Sequence, residues 1–145
     1  GYFAVYVFLM MPVFGLAVAL ALYNRRREQR VVVAKLPGMV AAGVVTANEA
    51  SWLGTIPTRK RAIAEATRFG GKPAGESVKR FAQQVVELAF VRDRIDRGFG
   101  DHRVAALLVD ETYAVYAARA ASPALRQMAG YHAGLQLPGS QPPRR

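Results

Sequence analysis

Cysteine is absent from the 145 residues, and histidine occurs only at His102 and His132. Without a thiol there can be no disulfide, no thiolate metal site and no cysteine nucleophile. The two histidines stand too far apart to form a ligand pair of recognisable spacing. No metal site, catalytic residue or cofactor site is therefore expected. Acidic residues are also scarce: 10 Asp and Glu stand against 20 Lys and Arg, for a formal charge of +10. Such a balance suits contact with anionic head groups or nucleic acid. No segment alternates polar and apolar residues as a strand would, and no internal repeat is present, so the expected fold class is all-α.

What is present begins with an uninterrupted apolar run. From Tyr2 to Tyr23 there is no charged residue. As a helix this run covers roughly 33 Å, the thickness of a bilayer's hydrocarbon. A core helix of a small domain rarely stays apolar on every face for so long. A signal peptide would carry its positive charge before the run, whereas here it follows. The expectation is a transmembrane helix over residues 1–24. Because the run starts at once after Gly1, with no initiator Met, the natural chain is expected to begin earlier. Pro12 is tolerable in lipid and hints at helix partners. Gly15, Ala17, Ala19 and Ala21 are read as a small-residue face for close helix approach. Tyr2, Tyr6 and Tyr23 fall where aromatic rings favour the interface.

Arg25, Arg26, Arg27 and Arg30 come next, with Glu28 the sole acid among them. The positive-inside rule places this end in the cytoplasm, and the arginines are expected to contact anionic lipid. A basic juxtamembrane extension is expected over 25–36, stopped by Pro37-Gly38. A cytoplasmic helical domain over 37–133 and a disordered tail over 134–145 complete the expected organisation.

Within that domain, Thr46 and Glu49 have capping-box spacing ahead of a short helix carrying Trp52 and Leu53 to Gly54. The next helix starts at Ile56-Pro57-Thr58 and is expected to end at Gly70-Gly71. Two longer helices follow, Pro73 to Arg97 and Asp101 to Ala121. In the first, Val78, Phe81, Ala82, Val85, Leu88, Ala89 and Ile95 recur at helical spacing. Arg92 with Asp96, and Asp93 with Arg97, are expected as surface pairs. The second presents Val104, Leu108, Thr112 and Val115, flanked by Ala105, Val109 and Tyr116. The two stripes are expected to face each other as a central helical hairpin. Ser122-Pro123 should cap a last helix reaching about Ala133.

Several residues invite a chemical reading. Glu87 and Glu111 could form a carboxylate pair on facing helices, for metal binding or acid–base work. Neither has a Glu-x-x-His companion, so solvated or Arg-paired carboxylates are the preferred reading. Asp101 is read as an N-cap and His102 as an ordinary first-turn residue; His132 is expected to be exposed. Arg59, Lys60, Arg61 and Arg68 could make a phosphate-binding surface, and with the preceding short helix they weakly resemble a helix-turn-helix. Attraction to a membrane surface is the simpler account. Trp52 reads as a packing anchor.

Taken in order, the apolar span with its Arg-rich end, Leu36-Pro37, Ala42-Gly43-Val44-Val45-Thr46, Glu49 with Leu53-Gly54, and Glu87-Leu88-Ala89-Phe90 with Arg92 and Arg94 carry a likeness. Over roughly Val13 to Gly98 the chain resembles the C-terminal region of actinobacterial PrsW-family intramembrane proteases. The predominance of Arg over Lys and the abundance of Ala agree with a GC-rich genome of that kind. The resemblance implies a multi-span protein of the bacterial inner membrane, whose last span leads into this tail. That family's catalytic glutamates and histidine belong to other spans, and residues 2–23 hold no Glu, Asp or His. An intramembrane hydrolase needs ionisable groups at membrane depth, so no catalytic role is carried over. The alternatives are a single-span accessory subunit of a respiratory or transport assembly and, more weakly, a membrane-tethered nucleic-acid binder. The expected partners are the bilayer, other transmembrane helices and unidentified proteins.

Overall fold

The structure, a computed structural model, describes residues 1–128. Every regular element among them is helical: α1 (Tyr2–Ala41), α2 (Ala47–Leu53), α3 (Ile56–Arg94) ending in a π-type turn (Ile95–Phe99), α4 (His102–Ala120), and α5 over 123–128. The protein is an all-α bundle carrying one long apolar N-terminal helix. The expected continuation of α5 to about Ala133, and the tail 134–145, lie outside the described residues.

Pro37-Gly38 does not stop the first helix, contrary to expectation. α1 runs for 40 residues through both Pro12 and Pro37, about 60 Å at standard rise. A proline inside a helix costs about 3 kcal/mol through a lost hydrogen bond and a ring clash. Here Val32, Leu36 and Met39 are buried on the same face, at roughly 1.5–3 kcal/mol each. Their burial exceeds the penalty, and Pro37 itself lies on the exposed side. The helix ends instead at Gly43, whose φ of +76° favours glycine. The Val44 N–H donates to the Met39 carbonyl at 2.9 Å and the Gly43 N–H to the Val40 carbonyl at 3.0 Å. This is a Schellman ending with its apolar contact, because Met39 and Val44 both enter the core. The segment expected as a juxtamembrane extension therefore belongs to the bundle.

α2 opens with the expected capping box: the Glu49 N–H donates to Thr46 Oγ1 at 3.0 Å, and the Thr46 N–H donates to Glu49 Oε1 at 2.9 Å. Thr55 caps α3. At Gly71 (φ +81°, ψ −178°) α3 breaks sharply and resumes at once, so the expected stop is a hinge between two arms rather than a loop. The fold-back is tight. A Cβ on Gly75 would lie 1.9 Å from Thr67 Oγ1 and 3.4 Å from the Ile63 carbonyl oxygen. In a straight helix Gly75 and Thr67 would be about 12 Å apart.

The second arm of α3 packs on α4 as the expected hairpin. Val78, Phe81, Ala82, Val85, Leu88 and Ala89 are buried from the α3 side, and Val104, Val115 and Ala118 from α4. The inward stripe of α4 is the expected one, with Val104 and Val115 buried and Leu108 and Thr112 half-buried; only its flanks differ. The expected flanking residues Ala105, Val109 and Tyr116 are exposed, while Glu111, beside the stripe, meets Glu87 of α3. Apolar residues occur around most of the circumference of α4, so periodicity selected the packed stripe but not which neighbours flank it.

Phe81 is fully buried beneath α4 and against Trp52. Phe81→Ala is expected to cost about 3–5 kcal/mol, read as a loss in the denaturation midpoint; a change under about 0.5 kcal/mol would show that this stripe is not core.

Candidate functional site at the base of the long helix

From Tyr2 to Tyr23 α1 stands clear of the bundle. Its apolar window is wholly unburied, and residues as large as Phe3, Phe8 and Phe14 are 81%, 75% and 74% exposed. In length and composition the segment is long and apolar enough to cross a membrane. Pro12, Gly15, Ala17 and Ala19 are all exposed, and nothing lies near Gly15. The helix turns about 100° per residue, so these residues do not share one face. Gly15 and Ala19 lie together near Pro12, while Ala17 and Ala21 lie nearly opposite.

One turn beyond the apolar run, Arg25, Arg26, Arg27 and Arg30 all face outward. Glu28 and Gln29 turn inward and tie α1 to the start of α3. Glu28 pairs with Arg59 at 2.6 Å. Gln29 Oε1 accepts from the Ile56 N–H at 2.9 Å, satisfying one of the donors a helix start leaves open. Further along, Lys35 meets Asp96 at 2.6 Å. Two expectations change as a result. Arg59, grouped with the phosphate-binding candidates, is 8% exposed and committed to Glu28. Asp96 pairs across the bundle with Lys35 rather than with Arg92, because α1 brings a cation to it. The Asp93–Arg97 pair forms as expected, at 3.0 Å. Lys60, Arg61 and Arg68 remain at the surface.

Sequence reasoning missed the junction's most buried ion pair. Glu49, 5% exposed, receives Arg119 through Nη2 at 2.6 Å and Nε at 3.3 Å. The same guanidinium donates to the Val44 carbonyl at 2.7 Å and lies 5.1 Å from the Phe81 ring centroid. Only the capping-box spacing marked Glu49; nothing local marked Arg119. Trp52 is a packing anchor as expected, buried with its ring centroid 6.2 Å from that of Phe81.

Glu87 and Glu111 do come together across the α3–α4 hairpin. Burial, then the charge and hydrogen bonding of Glu87, then the charge of Asp110 hold the Glu111 carboxyl above its ordinary value of 4.5. Glu111 Oε2 is buried without a hydrogen-bond partner among the described residues. The Glu111 carboxyl therefore keeps its proton to higher pH than a free carboxyl does. No third His, Asp or Glu among the described residues joins the pair in a metal-binding group. Asp101 caps α4 by accepting from the Val104 N–H at 3.0 Å, and His102 follows, exposed. His132 lies outside the described residues.

Two outcomes are expected from these contacts. Arg119→Ala strands a buried carboxylate and should cost roughly 3 kcal/mol, whereas Glu49→Gln combined with Arg119→Met should recover part of that loss in the same unfolding measurement. For Glu111, the folded protein holds the proton more tightly than the unfolded chain. Stability should fall as pH rises from the unfolded carboxyl's range through the raised value, then level off. Glu111→Gln should raise the melting temperature at neutral pH and give no gain in acid, where both states are protonated; an equal gain at every pH would contradict this origin.

No family model matches the chain, and neither a curated protein nor a solved structure matches it.

Proposed function

We propose that this chain is a membrane-anchored helical module of a bacterial inner membrane, with α1 crossing the bilayer from Tyr2 to Tyr23 and the bundle in the cytoplasm. One observation carries the reading: a single unbroken helix presents a span-length apolar surface at one end and is built into the bundle core at the other. In water each exposed Phe, Leu, Val or Met of that surface forgoes about 1.5–3 kcal/mol of burial, and a bilayer supplies that burial. The outward arginines at positions 25–27 and 30 support the cytoplasmic orientation. On the resemblance to PrsW-family proteases, the module is the last span and tail of such an enzyme. It serves docking or regulation, while the chemistry resides in other spans.

A second reading, a single-span accessory subunit, draws support from α4. Val109, Tyr113 and Tyr116 are 54%, 69% and 41% exposed there, an apolar patch of the sort that protein partners cover.

The absence of cysteine makes the topology directly testable. Arg61→Cys should react with a membrane-impermeant maleimide in inverted inner-membrane vesicles and stay unlabelled in intact spheroplasts. Labelling from outside would reverse the orientation, and release of the protein by alkaline extraction would remove the span. The intact mass of the native protein separates the two identities. Additional spans bearing Glu and His support the protease reading; a mass close to that of this sequence supports the accessory subunit.

A further inference from the structure

An open groove of about 630 Å³ lies between α1 and the two arms of α3. Beside Arg59, which is paired with Glu28, each wall contributes one further cation: Arg25 from α1, Lys60 from the first arm and Lys79 from the second. All three are exposed, and none forms an ion pair among the described residues. Ile56, Ile63 and Val86 give the groove a half-buried apolar floor. Two acids also line it: Glu28 is paired with Arg59, and Glu87 is exposed and forms no ion pair among the described residues, which leaves the three cations in excess of one free carboxylate. Three like charges around one hollow repel each other, and an anion placed among them would relieve that repulsion.

Position narrows the kind of anion. Arg25 follows Tyr23, where the uncharged apolar run ends, by two positions, about 3 Å along the axis. If α1 spans the bilayer, the groove's edge on α1 lies at head-group level. A soluble anion would use the cations alone, whereas the apolar floor suits a ligand with a hydrocarbon part next to its phosphate.

We propose, resting on the membrane-spanning reading above, that this groove binds the head group of an anionic phospholipid from the adjoining leaflet. Lys60, Lys79 and Arg25 hold the phosphate, and the glycerol and first methylenes lie on Ile56, Ile63 and Val86. Arg26, Arg27 and Arg30 take no part in the groove; they attract the same leaflet diffusely, at around 1 kcal/mol per charge.

The test uses the full chain reconstituted in phosphatidylcholine alone and in phosphatidylcholine mixed with phosphatidylglycerol, then returned to mild detergent for native mass spectrometry. The wild type should retain phosphatidylglycerol in preference to phosphatidylcholine. Lys60→Gln with Lys79→Gln should lower that retention by about tenfold, with an unchanged melting temperature, because neither lysine forms an ion pair among the described residues. Arg26→Gln with Arg27→Gln removes the same charge outside the groove and should leave retention near the wild-type level. Equal loss in both double variants would mean diffuse attraction without a site, and would overturn the proposal. Inorganic phosphate displacing the lipid at millimolar concentration would likewise overturn it, in favour of a soluble anion. A wild-type protein that fails to enter even phosphatidylcholine vesicles would overturn the membrane-spanning reading and the proposal together, a result distinct from the other two.

Discussion

Where the Arg119 guanidinium meets the Glu49 carboxylate, four parts of the chain are fixed relative to one another. The carboxylate closes the capping box of α2, the guanidinium comes from the last turn of α4, the Val44 carbonyl lies just past the end of α1, and the Phe81 ring belongs to α3. A charge this deeply buried is tolerable only when its remaining hydrogen-bonding capacity is used. Glu49 meets that condition, with one oxygen accepting from Thr46 and Arg119 and the other from Arg119 alone. The geometry is therefore restrictive. Moving α4 would leave an unpaired carboxylate, and moving the end of α1 would take the Val44 carbonyl from its donor.

That restriction extends along α1. Val32, Leu36 and Met39 are packed into the core, while Glu28, Gln29 and Lys35 add polar ties on the same part of the helix. No flexible linker separates the apolar part of α1 from the bundle, since the helix is continuous from Tyr2 to Ala41. A tilt or rotation of the apolar part would be carried into the bundle instead of being absorbed at a joint. The same continuity holds the basic groove one turn from the apolar surface. An anchor that served only to raise local concentration would work as well on a loose tether, so the rigid connection favours a role in which the orientation of the bundle matters.

Features set by local chemistry were legible in the sequence. The capping box of Thr46 and Glu49, the Asp101 cap, the breaks at Gly71 and Gly98 and the buried stripe from Val78 to Ala89 all follow from short-range spacing. What escaped depends on residues distant in sequence. Glu28 with Arg59, Lys35 with Asp96 and Glu49 with Arg119 are separated by 31, 61 and 70 positions, and such separations leave no periodic trace. Pro37 shows the same limit from the other side. Its local preference for ending a helix was sound, and tertiary burial around it outweighed that preference. The inward stripe of α4, Val104 to Val115, was legible, but its flanks were not, because alanine, valine and tyrosine surround the helix almost entirely. The meeting of Glu87 and Glu111 was weighed but set second to solvated or Arg-paired carboxylates, because nothing in their spacing favours it.

The internal pairs also determine where the net charge resides. Glu28, Glu49, Asp93 and Asp96 each neutralise one cation, so the surplus of +10 is carried by groups outside these pairs. Many of them, including Arg25, Arg26, Arg27, Arg30, Lys60, Arg61 and Lys79, are exposed. Charges at the surface are screened over about 8 Å at physiological ionic strength, whereas the more buried pairs, Glu28 with Arg59 and Glu49 with Arg119, are screened much less. The two sets therefore have different work. Arg59 and Arg119 hold the fold at any ordinary salt concentration, and the exposed cations act only on anions that come within a turn or two of helix. Attraction of that range cannot anchor a protein by itself; it can orient one that the apolar part of α1 already holds at a surface.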